Sequence, residues 1–256
     1  MIERSTLKVR TTFTEDLLAT SSGNPEVHAE FQASRSADAQ KMEEETATLP
    51  AEEVTEKAST VFHVDPKGLF VWDYQWRGHI KEVIGHMCEL GQFEVLSKWT
   101  HKRACDGAIF VTPRRIYLMR DGEHLLKPDG TLQRPLRATT LQGDRVALAR
   151  SEYCKAGTYC EFEVTLLESL DKKSAWYEIN LDLIKQCLDF GIMKGTGQWR
   201  SGGYGRYTYE ILEEHQAGPR GKSKRQIAEE NKRPRKRTAA AAPAPAEAEV
   251  PAAMEG

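Results

Sequence analysis

Residues 191–209 read GIMKGTGQWRSGGYGRYTY. Glycine stands at 191, 195, 197, 202, 203 and 205, and the arginines of the stretch are Arg200 and Arg206. The segment lies between a run of helical period and a run that alternates. A loop so rich in glycine is costly to order, because glycine loses more backbone freedom on folding than any other residue. Glycine in such a place serves a positive φ or a close approach of backbone to another group. Two readings follow. Either the loop's amides and arginines meet phosphate, or it is a long connection that tolerates glycine.

Working outward, Trp176 to Phe190 has helical period, with Ile184, Cys187 and Leu188 among its apolar positions. Tyr207, Tyr209 and Ile211 predict a last strand after the loop. Tyr159 to Leu167 alternates cleanly: Cys160, Phe162, Val164 and Leu166 face one way, Glu161, Glu163 and Thr165 the other. Leu7 to Phe13 reads as a first strand. Ile80, Val83, Ile84, Met87 and Leu90 predict a helix that Gly91 terminates. Ala108 to Val111 and Ile116 to Met119 read as two strand halves around Thr112 to Arg115. Asp121-Gly122 and Asp129-Gly130 mark turns. Phe70, Trp72, Tyr74 and Trp76 suggest one side of an extended stretch from Gly68, serving as a core face or a nucleobase platform. Leu96 to Arg103 reads as a polar, basic connection.

The simplified order is strand, helix, strand, strand, helix, strand. It predicts an α+β fold, a ferredoxin-like (RRM-like) sandwich with helices on one sheet face and the other face free. The folded domain is expected over 1–215, with insertions at about 24–75 and 112–145. Asn24 and Pro25 suit the start of a short helix over Glu26 to Phe31. The 256 residues are 39% hydrophobic, enough for a core, and carry a formal net charge of -2. That total hides an acidic arm over 38–56 and a basic block over 220–237, which holds nine Lys/Arg against two Glu. Residues 216–256 read as a disordered tail, first basic and then rich in Ala and Pro. Cys88, Cys105, Cys154, Cys160 and Cys187 form no Cys-x-x-Cys pair and do not cluster with histidine, so no metal and no other cofactor is expected. With no long apolar run and no signal peptide, the expected place is the cytoplasm, with reduced thiols and no membrane contact.

The pattern GxGxWRSxGYGR after an amphipathic helix and before a strand resembles the glycine-rich loop of the repeat-associated mysterious protein (RAMP) superfamily. These are the CRISPR backbone and processing proteins, built on an RRM-like ferredoxin fold. Ser151 to Thr158, with its Glu152-x-x-x-x-Gly157-Thr158 lead-in to a strand, is similar to the same region of backbone-type members. Leu7 to Gly23 resembles their first strand and following loop. The whole chain also resembles uncharacterised proteins of bacteriophages and prophages, which implies a bacterial host cell.

What the resemblance implies is RNA binding. The matching positions are Gly195, Gly197, Trp199, Arg200, Gly202, Gly203, Tyr204, Gly205 and Arg206. Arginine grips phosphate bidentately, and Trp199 and Tyr204 offer π-faces to bases. The plainer role for both rings is packing of the loop against the sheet. Lys102, Arg103, Arg114, Arg115, Arg134 and Arg137 complete the expected basic surface. Processing members use a histidine near the first helix. His28, His79 and His86 are the matches by position, and Asp65 and Asp73 are loose matches to metal-dependent members; none has a visible partner set. The leading expectation is therefore a noncatalytic binder of single-stranded RNA or DNA that assembles with copies of itself along the strand. The alternatives are a metal-independent endoribonuclease and a protein-interaction module acting on a host complex through the acidic arm at 38–56.

Overall fold

Alternation from Tyr159 onward builds the central strand of the molecule. A computed structural model describes residues 2–23, 59–140 and 143–216, with backbone alone at 2–3, 136–140 and 143–148. Strand β13 (Tyr159–Ser169) buries every second side chain from Cys160 to Glu168. Its neighbours are β1 (Ile2–Phe13) and β7 (Ile109–Thr112), and β14 (Tyr207–His215) pairs with the far side of β1, all antiparallel. The order β14–β1–β13–β7, with helices between β1 and β7 and between β13 and β14, is the ferredoxin-like arrangement.

Helix α1 (Asp73–Glu89) buries Trp76, His79, Ile80, Val83, Ile84 and Met87, the stripe that a period of 3.6 places on one face. It ends in a Schellman motif: Gly91 takes φ +67°, its amide donates to the Cys88 carbonyl and that of Gln92 to Met87. The basic connection at 96–103 is helical in its second half, as α2 (His101–Ala108), because Ala104, Cys105 and Ala108 give it an apolar face. A short α3 (Ala175–Glu178) is capped by Ser174. Then α4 (Leu181–Lys194) begins where the Asn180 side chain accepts from the Leu183 amide at 2.9 Å. This helix runs four residues further than its apolar period suggests, taking Gly191 to Lys194 out of the loop. The core lies between sheet and helices, where Trp76 stacks on Phe162 at 4.5 Å and lies 6.5 Å from Phe13.

Two smaller sheets flank this body. One joins β2 (Leu17–Leu18), β3 (Ser21–Ser22) and β4 (Ser59–Val61) to the long hairpin of β11 (Gly130–Thr140) and β12 (Gly143–Cys154). The other holds β5 (His63–Asp65), β6 (Gly68–Trp72) and β8 (Arg115–Tyr117). The expected extended stretch through Gln75 is thus corrected. The strand stops at Trp72, Tyr74 and Trp76 belong to α1, and Phe70 and Trp72 are core residues meeting edge to face at 4.9 Å. Ile116 to Met119 also departs from expectation: β8 turns away to pair with β6, and of this segment β9 (Met119–Arg120) alone pairs with β13. Asp121 and Gly122, both left-handed at φ 54° and 85°, turn β9 into β10 (Glu123–His124), as a tight hairpin demands. The lead-in at 151–158 locks the start of β13 to the end of β1, with Phe13 and Gly157 donating to the Thr158 and Phe13 carbonyls at 2.8 Å.

The described residues fall in a compact unit spanning 1–218. The helix expected at Glu26 to Phe31, the acidic arm at 38–56 and the tail beyond Gln216 lie outside the described residues.

Candidate nucleic-acid interface

The glycine loop leaves α4 at Gly195 and enters β14 at Tyr207. Its glycines mostly make room for neighbouring backbone. A Cβ at Gly205 would overlap the Thr196 carbonyl, and one at Gly195 would stand 2.6 Å from the Tyr204 oxygen. At Gly197 it would lie 2.9 Å from the Leu18 oxygen, so the loop sits directly on the segment after β1. The amides of Gly195, Gly202, Gly203 and Gly205 donate to the carbonyls of Gly191, Trp199, Arg200 and Asp16 at 2.8–2.9 Å. Those four amides are occupied inside the protein, so a phosphate at the loop would not be held by them.

Trp199 is the loop's conformational outlier. It is left-handed (φ 49°, ψ 43°), a region costly for a bulky residue. Its ring lies against the bare backbone of Gly202, where a Cβ would come within 2.7 Å of it. Tyr204 stacks on it at 5.0 Å and 16°, and the Arg134 guanidinium from β11 caps it at 4.5 Å. The indole remains 39% exposed, so these contacts leave ring surface for a ligand. The packing partners of Trp199 are Tyr204 and Arg134, not the central sheet. Gln198 ties the loop to the flanking sheet: its Oε1 accepts from Ser151, Thr60 and Arg134 at 3.1, 3.4 and 3.2 Å.

The two loop arginines have different fates. Arg200 forms an ion pair with Glu82 of α1, which also takes Lys194 at 3.0 Å. Partial burial pushes the Glu82 carboxyl up, but Arg200 and Lys194 together hold it below its ordinary range. Lys194 also donates to His86 Nε2 at 2.7 Å. Arg206 is exposed and makes no side-chain hydrogen bond or ion pair with the described residues. It lies between two grooves that share it and Ser201. One, of about 530 Å³, runs past Glu15, Asp16, Gly203 and Tyr204. The other, of about 740 Å³, runs past Lys194, Trp199 and Arg200 to Met193.

Arg134 is a different kind of cation. Its Nη2 reaches Gln198, but Nε and Nη1 are buried with no hydrogen-bond partner. Loss of solvent draws its pKa down, which Tyr204 partly offsets. No carboxylate among the described residues pairs with it. A guanidinium does not neutralise in a protein, so its charge stands beside the Trp199 ring with no described carboxylate to offset it.

Comparison with known families and with curated proteins finds no match. Among solved structures, the chain is similar to one described as "Type IV-B CRISPR Complex". That likeness is distant: 11% identity and a TM-score of 0.40, over 86% of this chain and 96% of the other.

The remaining predicted residues divide. Arg115 pairs with Asp65 at 2.9 Å, and Arg114 lies over the Trp72 ring at 4.7 Å. Lys102 and Arg103 are exposed on α2, whose Asp106 binds Arg77 and Lys81 of α1. Arg137 stands opposite Val146 in the β11–β12 hairpin, where the backbone alone is described. The structure therefore joins Arg134 to the loop and places Arg114, Arg115, Lys102 and Arg103 on other elements. Of the histidines, His28 lies outside the described residues. His79 is buried, bonded to the Tyr207 hydroxyl at 3.0 Å, and burial holds its pKa down at about 4. Asp65 is drawn up by burial but held below its ordinary range by Tyr117, Arg115 and the turn amides of Lys67 and Gly68. Burial raises Asp73. No group of His, Cys, Asp or Glu among the described residues could hold a metal ion, and no helix there is long and apolar enough to cross a membrane.

The sheet face away from the helices is acidic. Lys8 and Arg10 are tied to Glu213 and Glu161 at 2.8 and 2.7 Å, with Glu163 and Glu210 alongside. That face offers nucleic acid little attraction, which leaves the loop side. Glu82 escaped the sequence reading because one polar residue on a helix face looks like any other, and Gln198 because it stands among the glycines at a position the loop pattern leaves open.

Proposed function

We propose that this protein is a noncatalytic binder of single-stranded nucleic acid, RNA foremost, which lies along the two grooves that meet at Arg206. The observation that carries this reading is Arg134 stacked at 4.5 Å on Trp199, two of its nitrogens buried without a partner and no carboxylate among the described residues paired with it. A cation that is desolvated and meets no carboxylate among the described residues is arranged for an anion that arrives from outside. Arg206 supplies the direct phosphate contact, and the exposed part of the Trp199–Tyr204 stack accepts a base without choosing its identity. Arg200 acts as an anchor that holds the loop on Glu82. The loop's resemblance to CRISPR backbone-type members supports the same reading and extends it to several copies along one strand. The resemblance of the sequence to bacteriophage proteins supports a role in an infected bacterial cell.

The test is titration of labelled 12-nucleotide RNA and DNA by fluorescence anisotropy over a salt series. Arg206→Ala should weaken binding to both and flatten the slope of log K against log salt by about 0.7, the value of one single-strand phosphate contact. Preference for RNA would mark a 2′-hydroxyl contact. A wild-type protein that binds neither strand at the lowest salt refutes the proposal.

A further inference from the structure

Beyond Met193 the loop groove continues across the ends of α1 and α4. A third depression, of about 620 Å³, is lined by His86, Glu89, Leu90, Phe190, Met193 and Lys194. It shares Met193 and Lys194 with the groove that holds Arg200 and Arg206, so the two are continuous. Its floor is unusually apolar for a surface. Leu90 and Met193 are each 68% exposed and Phe190 is 40% exposed. Phe190 keeps its orientation by stacking on His86 at 6.2 Å and 28°, and Lys194 is fixed at the rim by Glu82 and His86.

The geometry points to this depression as a subsite for an unpaired nucleobase of the strand whose phosphates pass Arg206. The inference rests on the proposed function and deepens it. Three properties select this occupant. The depression opens directly from the phosphate-binding groove, so a strand passing Arg206 can turn a base into it. An aromatic ring, a thioether and an aliphatic side chain offer dispersion and π contact without a hydrogen-bond code. Lys194, held by Glu82 and His86, gives the depression a fixed polar rim where the backbone leaves one groove for the next. A second copy of the chain fits less well, because three partly exposed side chains present far less than the roughly 800 Å² per partner of a stable interface.

The double variant Phe190→Ala/Met193→Ser tests this, since both side chains are exposed and their loss leaves the core intact. Wild type and variant are titrated with thymidine 12-mer and with an abasic 12-mer of the same length, which keeps the phosphates and lacks the bases. The expected result is a loss of about tenfold for the thymidine strand and none for the abasic strand. Irradiation of a 5-iodouracil strand should crosslink it to the peptide containing Phe190 and Met193. Equal thymidine binding by variant and wild type, with no such crosslink, overturns the subsite and leaves the loop reading standing. A wild type that binds neither strand overturns both. A variant that changes only sedimentation, with unchanged affinity for both strands, assigns the surface to self-association and also overturns the subsite.

Discussion

Replacing Gly191 with alanine should destabilise the protein through one contact. Gly191 lies inside α4 with ordinary helical backbone, so conformation alone would favour alanine by about 1 kcal/mol. The obstacle is space. A Cβ there would stand 2.6 Å from His79 Nε2 and 2.8 Å from Tyr207 Cζ, with the Tyr207 hydroxyl nearer still. Tyr207 is fully buried between Trp76 and α4, so its ring cannot swing aside without disturbing the core. Overpacking costs about 1–3 kcal/mol. Breaking the buried 3.0 Å bond between His79 and Tyr207 costs about 1–3 kcal/mol more. After the helical gain is subtracted, Gly191→Ala should lose about 3 kcal/mol, or a fall in Tm of about 10 °C for a domain of this size. Urea unfolding followed by tryptophan fluorescence measures it. Tyr207→Phe removes the atom that clashes first, so the double variant should be at least about 1 kcal/mol more stable than the sum of the single losses. Gly191→Ala as stable as wild type, or strict additivity in the double, would refute the argument.

Other consequences can be measured on the same material. His79 should make stability pH-dependent. Its folded pKa of about 4 lies below the ordinary 6.5, so the unfolded chain binds the proton first as pH falls. The stabilisation is complete above pH about 6.5 and lost toward pH about 4, by about 3 kcal/mol, and His79→Gln should flatten that part of the curve. The Glu178 carboxylate accepts from the amides of Glu94, Val95 and Leu96 at 2.7, 3.1 and 2.6 Å. Glu178→Gln should raise hydrogen exchange at those amides about tenfold with little change at β13; unchanged exchange would mean that the clamp contributes nothing. Glu82→Gln should free Arg200 and Lys194 and steepen the salt dependence of binding by about 0.7 for each cation released. A flatter slope would show that Glu82 is needed mainly to hold the loop in shape.

The parts of the fold that could be read from sequence are those whose burial follows a local period. Cys160 to Leu166 and Ile80 to Met87 carry their partners' geometry in their own spacing. The start of α1 gave no such cue, because Trp72 makes no side-chain cap and the aromatic run crosses the strand–helix boundary unbroken. Helix α2 was concealed by its polar face, with only small residues turned inward. The loop's composition announced a special segment, yet its anchors (Asp16, Leu18 and Glu82) lie more than 100 residues away. Nor does the sequence distinguish Arg206 from Arg200, since the difference is a carboxylate on another element.

The pairing of β1 with β14 has a kinetic consequence. Lys8 and Glu213 bond across a sequence separation of 205, and Arg10 reaches Glu161 across one of 151. Contacts of such separation close late, because the chain must give up the entropy of a very long loop before any of them forms. The glycine segment takes its shape from the turn after β1, so it cannot mature before that closure. Refolding should therefore be slow for a domain of this size, with fluorescence from Trp199 among the last signals to settle, well after α1 and α4 have formed.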